Sequence, residues 1–150
     1  MSERDTFFQW QARALGGLMG WGAANVVVGT PLARSTEQVT RQIARQAVAW
    51  GLIDLLIAVL GRRGARRQGR TARFGDAGPA PTRLRRIIAV NVVLDIGYVL
   101  GGAWLVRTAG RRADRRGVGL GIMLQGAFLG CYDGLLLRGV ARWVHPVSTD

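Results

Sequence analysis

Arg86–Arg107 reads R-IIAVNVVLDIGYVLGGAWLV-R: 20 residues between two arginines, with Asp95 as their single charge. At about 1.5 Å per residue, a helix of that length crosses the roughly 30 Å hydrocarbon core of a bilayer. The stretch therefore predicts a transmembrane helix. Asn91, Asp95 and Tyr98 fall at i, i+4 and i+7 and share one face, which Gly102 continues. A polar face in lipid has to be covered by other helices, and the rest of the chain holds three more apolar blocks.

The whole-chain averages conceal this organisation. With 49% apolar residues, a mean hydropathy of +0.14 and a formal charge of +12, the 150 residues average out as a basic soluble domain. All 21 basic residues are arginine and lie almost wholly outside four apolar blocks, the segregation expected of membrane flanks. Arginine-only usage with abundant Ala and Gly fits a GC-rich bacterial genome. Cys131 is the single cysteine, excludes an internal disulfide and reads as a small buried thiol. His145 is the single histidine, so no His or Cys cluster for a metal can be assembled. GxxxxGK[ST], GxSxG and HExxH are all absent, closing the common routes to an NTPase, serine hydrolase or zinc protease. No cofactor is implied.

Outward from the opening stretch, residues 14–32 are charge-free, and Gly16, Gly20 and Ala24 form a row along which another helix can approach. A retained helix is preferred to a cleaved signal peptide, because Glu3 and Asp5 precede it and no A-x-A site follows. Phe7, Phe8 and Trp10 before it suit an amphipathic segment at the headgroups. Pro31 ends this helix, and Ser35 with Gln38 offers a capping box for the next. That second helix begins polar and spans residues 46–61, where Ala47, Gly51, Asp54, Ala58 and Gly61 form a small-residue seam. The third span is 87–106. The fourth, 117–137, holds Asp133 as its only charge and Gly126, Gly130 and Gly134 as a GxxxGxxxG face for close helix contact, within the chain or with a second copy or partner. The fold class is all-α, a four-transmembrane-helix bundle in one integral membrane domain.

Residues 62–82 read as a flexible Arg-rich loop, since nine arginines between Arg62 and Arg86 mixed with Gly, Ala and Pro cannot bury a core. Arg62, Arg63, Arg66, Arg67, Arg83, Arg85 and Arg86 are assigned to anionic lipid headgroups, at about 1 kcal/mol each. Nucleic acid is not expected as a partner, because the loop holds only Phe74 as an aromatic. The side bearing both termini and this loop carries 13 arginines against 8 opposite, which places the termini in the cytoplasm of a bacterial cytoplasmic membrane.

Measured from the arginine-richer face, the helical rise puts Asn91 and Asp133 about 7 Å deep, Asp54 about 10 Å and Asp95 about 13 Å. Asn25, Tyr98 and Gln125 fall at about 17 to 19 Å, near the midplane. Matching depths on antiparallel helices predict that these seven residues meet inside the bundle. An aspartate at a helix centre costs roughly 2.5 to 3.5 kcal/mol to insert, so at least one of the three carboxyls is expected to be protonated near neutral pH unless a cation is bound. Asn25-Val26-Val27 faintly echoes Asn91-Val92-Val93, as a duplicated hairpin would.

Trp21-Gly22-x-x-Asn25, Trp50-x-x-x-Asp54, Asn91-x-x-x-Asp95-x-x-Tyr98, Gln125-Gly126 and Tyr132-Asp133 together resemble a group of small uncharacterised bacterial four-helix membrane proteins over residues 14–137. The resemblance implies the four-span architecture and no activity.

Three functions follow from the residues. The first is a non-enzymatic module in which Asp54, Asn91, Asp95, Asp133, Asn25, Tyr98 and Gln125 bind a proton, a cation or a small polar ligand; the identity of any metal is left open. The second is a structural or assembly protein whose polar layer only fixes packing. The third, ranked last for want of a GxGD motif, is an intramembrane hydrolase pairing Asp95 with Asp133.

Overall fold

The computed structural model describes residues 3–71 and 78–144, all helical apart from short connections. Four helices follow in order: α1 (Glu3–Leu32), α2 (Gln38–Thr71), α3 (Ala80–Arg107) and α4 (Ala113–Ala141). Among the described residues there is no strand. α1 packs antiparallel on α2, α3 packs antiparallel on α4, and the two hairpins join through α2 and α4. Those two central helices run parallel: Gly117 and Gly121 of α4 lie against Val39, Gln42, Ile43 and Gln46 of α2.

Each hairpin crosses at a pair of glycines. A Cβ on Gly22 would stand 2.7 Å from the Gly51 carbonyl oxygen, and one on Gly51 would stand 2.7 Å from that of Gly22. Gly102 and Gly119 repeat the arrangement at 2.6 and 2.8 Å. No other residue permits backbones this close. The expected seam on α2 is therefore real, with Asp54 and Ala58 buried in it and Gly61 against Leu15. The row expected on α1 is not: Gly16 and Gly20 have nothing near their Cβ positions, and Gly17, Gly22 and Gly29 make the contacts instead. An almost uniformly apolar helix carries no signal for its rotation about its own axis. On α4, Gly126 and Gly130 pack inward against α3, and only Gly134 meets open space.

The interior is small and polar, whereas large apolar side chains point out. Leu52, Leu56 and Leu60 of α2, Val90, Val93 (69% exposed) and Leu100 of α3, and Leu124 and Leu135 (66% exposed) of α4 lie on the outer surface. Cys131 is exposed there too, contrary to the buried thiol expected. α2, α3 and α4 are long and apolar enough to cross a membrane. α1 is not among them: five glycines, Trp21, Asn25 and Thr30 dilute its apolar residues. The molecule has the character of a multi-pass membrane protein.

At one end the packing changes character. Phe7, Phe8, Ala65, Ile88 and Val140, one or more from each helix, form an apolar cluster extended by Trp10, Leu84, Leu136, Leu137 and Trp143. Phe7 is 0% exposed and packs edge-on against Phe8 and Trp143. Three expectations are corrected by this cap. Phe7 and Phe8 do not form a separate exposed amphipathic segment but are buried on a continuation of α1. Residues 62–71 are not loop but the last turns of α2, held by Ala65 against that cluster. Residues 80–82 open α3, with Pro79 at its N-cap and Pro81 in its first turn, where a missing N–H costs nothing. Residues 72–77, which include Phe74, and His145 lie outside the described residues.

The opposite end is closed by two tight connections. After Pro31, in the last turn of α1, Ser35 meets the Glu37 backbone N–H, but the cap on α2 is the Glu37 carboxylate, which accepts from the Thr40 N–H at 3.3 Å. The capping residue is thus two positions later than Ser35. Between α3 and α4, Gly110 takes φ +55°, a left-handed turn that a side chain would strain.

Candidate functional site: a polar layer inside the bundle

Inside a bundle whose outer face is apolar, Asp54, Asp95, Gln125 and Asp133 are all buried. The glycine crossings put them there, because helices in backbone contact leave no room for large side chains between them and a short carboxyl or amide fills the gap beside each crossing. Gln125 of α4 is the hub. Its Nε2 donates to Asp54 Oδ2 of α2 at 2.7 Å, and its Oε1 accepts from Trp21 Nε1 of α1 at 3.1 Å. One amide therefore ties three helices together. A cavity of about 30 Å³, room for one water, adjoins it between Trp21, Asn25, Trp50 and Gln125.

Asp133 of α4 has the Asn91 side chain of α3 as its polar neighbour. Asp95 lies within electrostatic reach of Asp133 first and Asp54 second. Its Cβ stands close to Gly130, whose missing side chain makes the space. Asp95 Oδ2 is buried and meets no hydrogen-bond donor in the protein. In a low-dielectric interior such an orphan oxygen is costly, so Asp54, bonded to the Gln125 amide, differs from it in kind.

The other expected members are placed less centrally. Asn25 turns back to its own helix, donating to the Trp21 carbonyl at 3.1 Å. Tyr98 sits edge-on to Trp50 at 5.3 Å between ring centroids. Asn91 is exposed at its outer side even as it neighbours Asp133. Sequence reasoning missed two groups. Trp21 stacks on Phe128 at 3.7 Å while its N–H feeds Gln125, and the Tyr132 hydroxyl donates to the Ala14 carbonyl. Both carry a polar tip in an apolar stretch, which is itself a signal that a partner is needed.

Among the described residues no three His, Cys, Asp or Glu side chains converge as a metal cluster. The three aspartates share a layer without sharing a centre. Of the arginines assigned to headgroups, Arg62, Arg63, Arg66 and Arg67 lie on the last turns of α2 and Arg83, Arg85 and Arg86 on the first turns of α3, at the same end of the bundle. Arg62 is half-buried and the other six are exposed.

Residues 17–134 match a family described as a family of unknown function, DUF6992. The chain belongs to that family. The matched stretch holds every residue of the polar layer, from Trp21 to Asp133, along with both glycine crossings. It leaves out Phe7, Phe8, Val140 and Trp143 of the cap. The match accords with the resemblance to uncharacterised membrane proteins. Searches of curated proteins and of solved structures returned no match.

Proposed function

We propose that this DUF6992 protein is a non-enzymatic, four-span module of a bacterial cytoplasmic membrane whose buried layer takes up a proton or a small cation at Asp95, from a cytoplasmic side that bears both termini. The observation that carries the reading is the unpartnered Asp95 Oδ2, within electrostatic reach of Asp133 and of Asp54, which the Gln125 amide already satisfies. A proton supplies what that oxygen lacks and needs no ligand cluster, whereas a small cation would have to draw in further oxygens from Asp54, Asp133 or water. α1 would cross as the fourth span by lying along α2, with Val27, Val28 and Leu32 outward and Gly22 and Gly29 inward.

Thermal unfolding of the detergent-solubilised chain between pH 5 and pH 9, with and without sodium, magnesium or calcium, tests this directly. The wild type should respond to pH or to one cation, and a ligand at a hundredfold excess over its Kd would stabilise by about 2.7 kcal/mol. Asp95→Asn should abolish that response, and Asp54→Asn should keep it at a lower baseline. A response that survives in Asp95→Asn refutes the reading. The packing interpretation rests on a different observation, that Asp54 is bonded to the Gln125 amide and so serves to join helices. It predicts that all three Asp→Asn variants respond alike and that cations do nothing.

A further inference from the structure

A cleft of about 520 Å³ opens between α1 and α2 at the capped end, well away from the polar layer. Its floor is apolar: Phe8, Ala12, Ala65 and Gly69. Its polar lining among the described residues is Gln9 and four arginines, Arg13, Arg62, Arg66 and Arg70, with no carboxylate among them. Among the described residues no ion pair reaches any of the four. Arg62 Nε is shielded from solvent and has no acceptor. Four like charges around one concavity repel one another, and a buried guanidinium N–H without an acceptor adds to that cost, so an anion seated there removes both penalties.

The level of the cleft narrows the chemistry. Arg13 immediately precedes the charge-free residues 14–32, and Arg62 immediately follows the span 46–61, so the rim stands where headgroup phosphates lie while Phe8 and Ala12 offer apolar surface beside it. Guanidinium forks match the tetrahedral oxygens of phosphate, and the cleft has the volume of a small-molecule site. We infer that this cleft binds a phosphoryl group, carried by an anionic phospholipid headgroup or by a soluble phosphate ester. The site singles out Arg62 and Arg66 from the seven arginines assigned to diffuse headgroup contact and adds Arg13, Arg70 and Gln9, which composition alone did not distinguish.

The test uses the full chain in an uncharged maltoside detergent, titrated with dioctanoyl phosphatidylglycerol, dioctanoyl phosphatidylcholine or inorganic pyrophosphate and followed by calorimetry. Arg66→Gln/Arg70→Gln removes two exposed cations of the cleft, Arg62→Gln removes the buried one, and Arg107→Gln/Arg111→Gln removes equal charge at the opposite end. Saturable phosphatidylglycerol binding is expected, weakened about tenfold or more by the cleft pair and little changed by the distant pair. Pyrophosphate binding with the same arginine dependence, in the absence of lipid binding, would assign the site to a soluble ester. Three results overturn the inference: no saturable binding of either probe, equal binding of phosphatidylcholine, or equal losses in the two double variants, which would mean diffuse charge attraction. Should Arg62→Gln fail to fold, the exposed pair still decides.

Discussion

Two stretches of α1 are buried by opposite means. Near its N-terminus Phe7 and Phe8 fill an aromatic cluster with Ile88, Val140 and Trp143, as in any water-soluble core. Midway along, the same helix is held by a bare backbone contact at Gly22 and by Trp21 donating to Gln125, with Val27 and Val28 turned outward. The hydrophobic effect explains the first arrangement and cannot explain the second, because apolar side chains gain nothing by leaving lipid for a protein interior. Where helices stand in lipid, close van der Waals contact and hydrogen bonding remain to hold them, and both favour small or polar residues inside. If α1 crosses the bilayer as proposed, the change from one regime to the other, between Phe8 and Gly17, marks where water gives way to hydrocarbon.

The largest expected effect follows from the backbone contacts. In Gly51→Leu the first added carbon meets the Gly22 carbonyl at 2.7 Å, and Asn25 and Val26 stand at 2.9 and 3.1 Å, so relief requires α1 and α2 to part. Overpacking commonly costs about 1–3 kcal/mol, and here the obstacle is backbone that no rotamer change can move aside. The variant should elute from size exclusion as aggregate, or melt far below the wild type. A native melting point would mean that the hairpin is held by something other than its crossing.

Next in size is the cap. Phe7→Ala empties a fully buried aromatic site contacting Phe8 and Trp143 and should cost about 3 kcal/mol in reversible unfolding, whereas Val93→Ala, on the outward face of α3, should stay within about 0.5 kcal/mol. The pair of measurements sharpens the boundary drawn above. Equal costs would remove it, since Phe7 would then be no more buried from water than a lipid-facing valine.

The sequence showed the helices and the contents of the interior better than it showed their rotation. Spacing alone put Asn91, Asp95 and Tyr98 on one face, and the helical rise put Asp54, Asp95 and Asp133 at one level, because both depend only on the regularity of a helix. Partner choice was not legible. Nothing local says that Gln125 reaches Asp54 and Trp21 while Asn25 bonds its own backbone, because that depends on how α1 is turned, and the apolar surroundings of Gly16, Gly20 and Gly22 are nearly alike. Residues 62–71 were illegible for another reason. Arg and Gly composition describes a loop, and the helix is imposed by Ala65 packing under Phe7 and Phe8, a contact between residues more than fifty positions apart.

The smallest effect is the most informative about the polar layer. Gln125→Leu keeps the volume but strips Asp54 Oδ2 and Trp21 Nε1 of their shared partner. In water-soluble cores each orphan costs about 1–3 kcal/mol, but in membranes the separated helices find other partners and side-chain hydrogen bonds average about 0.6 kcal/mol, with a ceiling near 1.7. A loss of about 1 kcal/mol is therefore expected. Trp21→Phe retains the stacking on Phe128 and removes only the indole N–H, so the Gln125→Leu/Trp21→Phe double variant measures the coupling carried by that one bond. Coupling near 0.6 kcal/mol places the layer in the lipid regime. Coupling near zero would mean that Gln125 serves Asp54 alone, and that α1 is held to the bundle by its glycines and its cap.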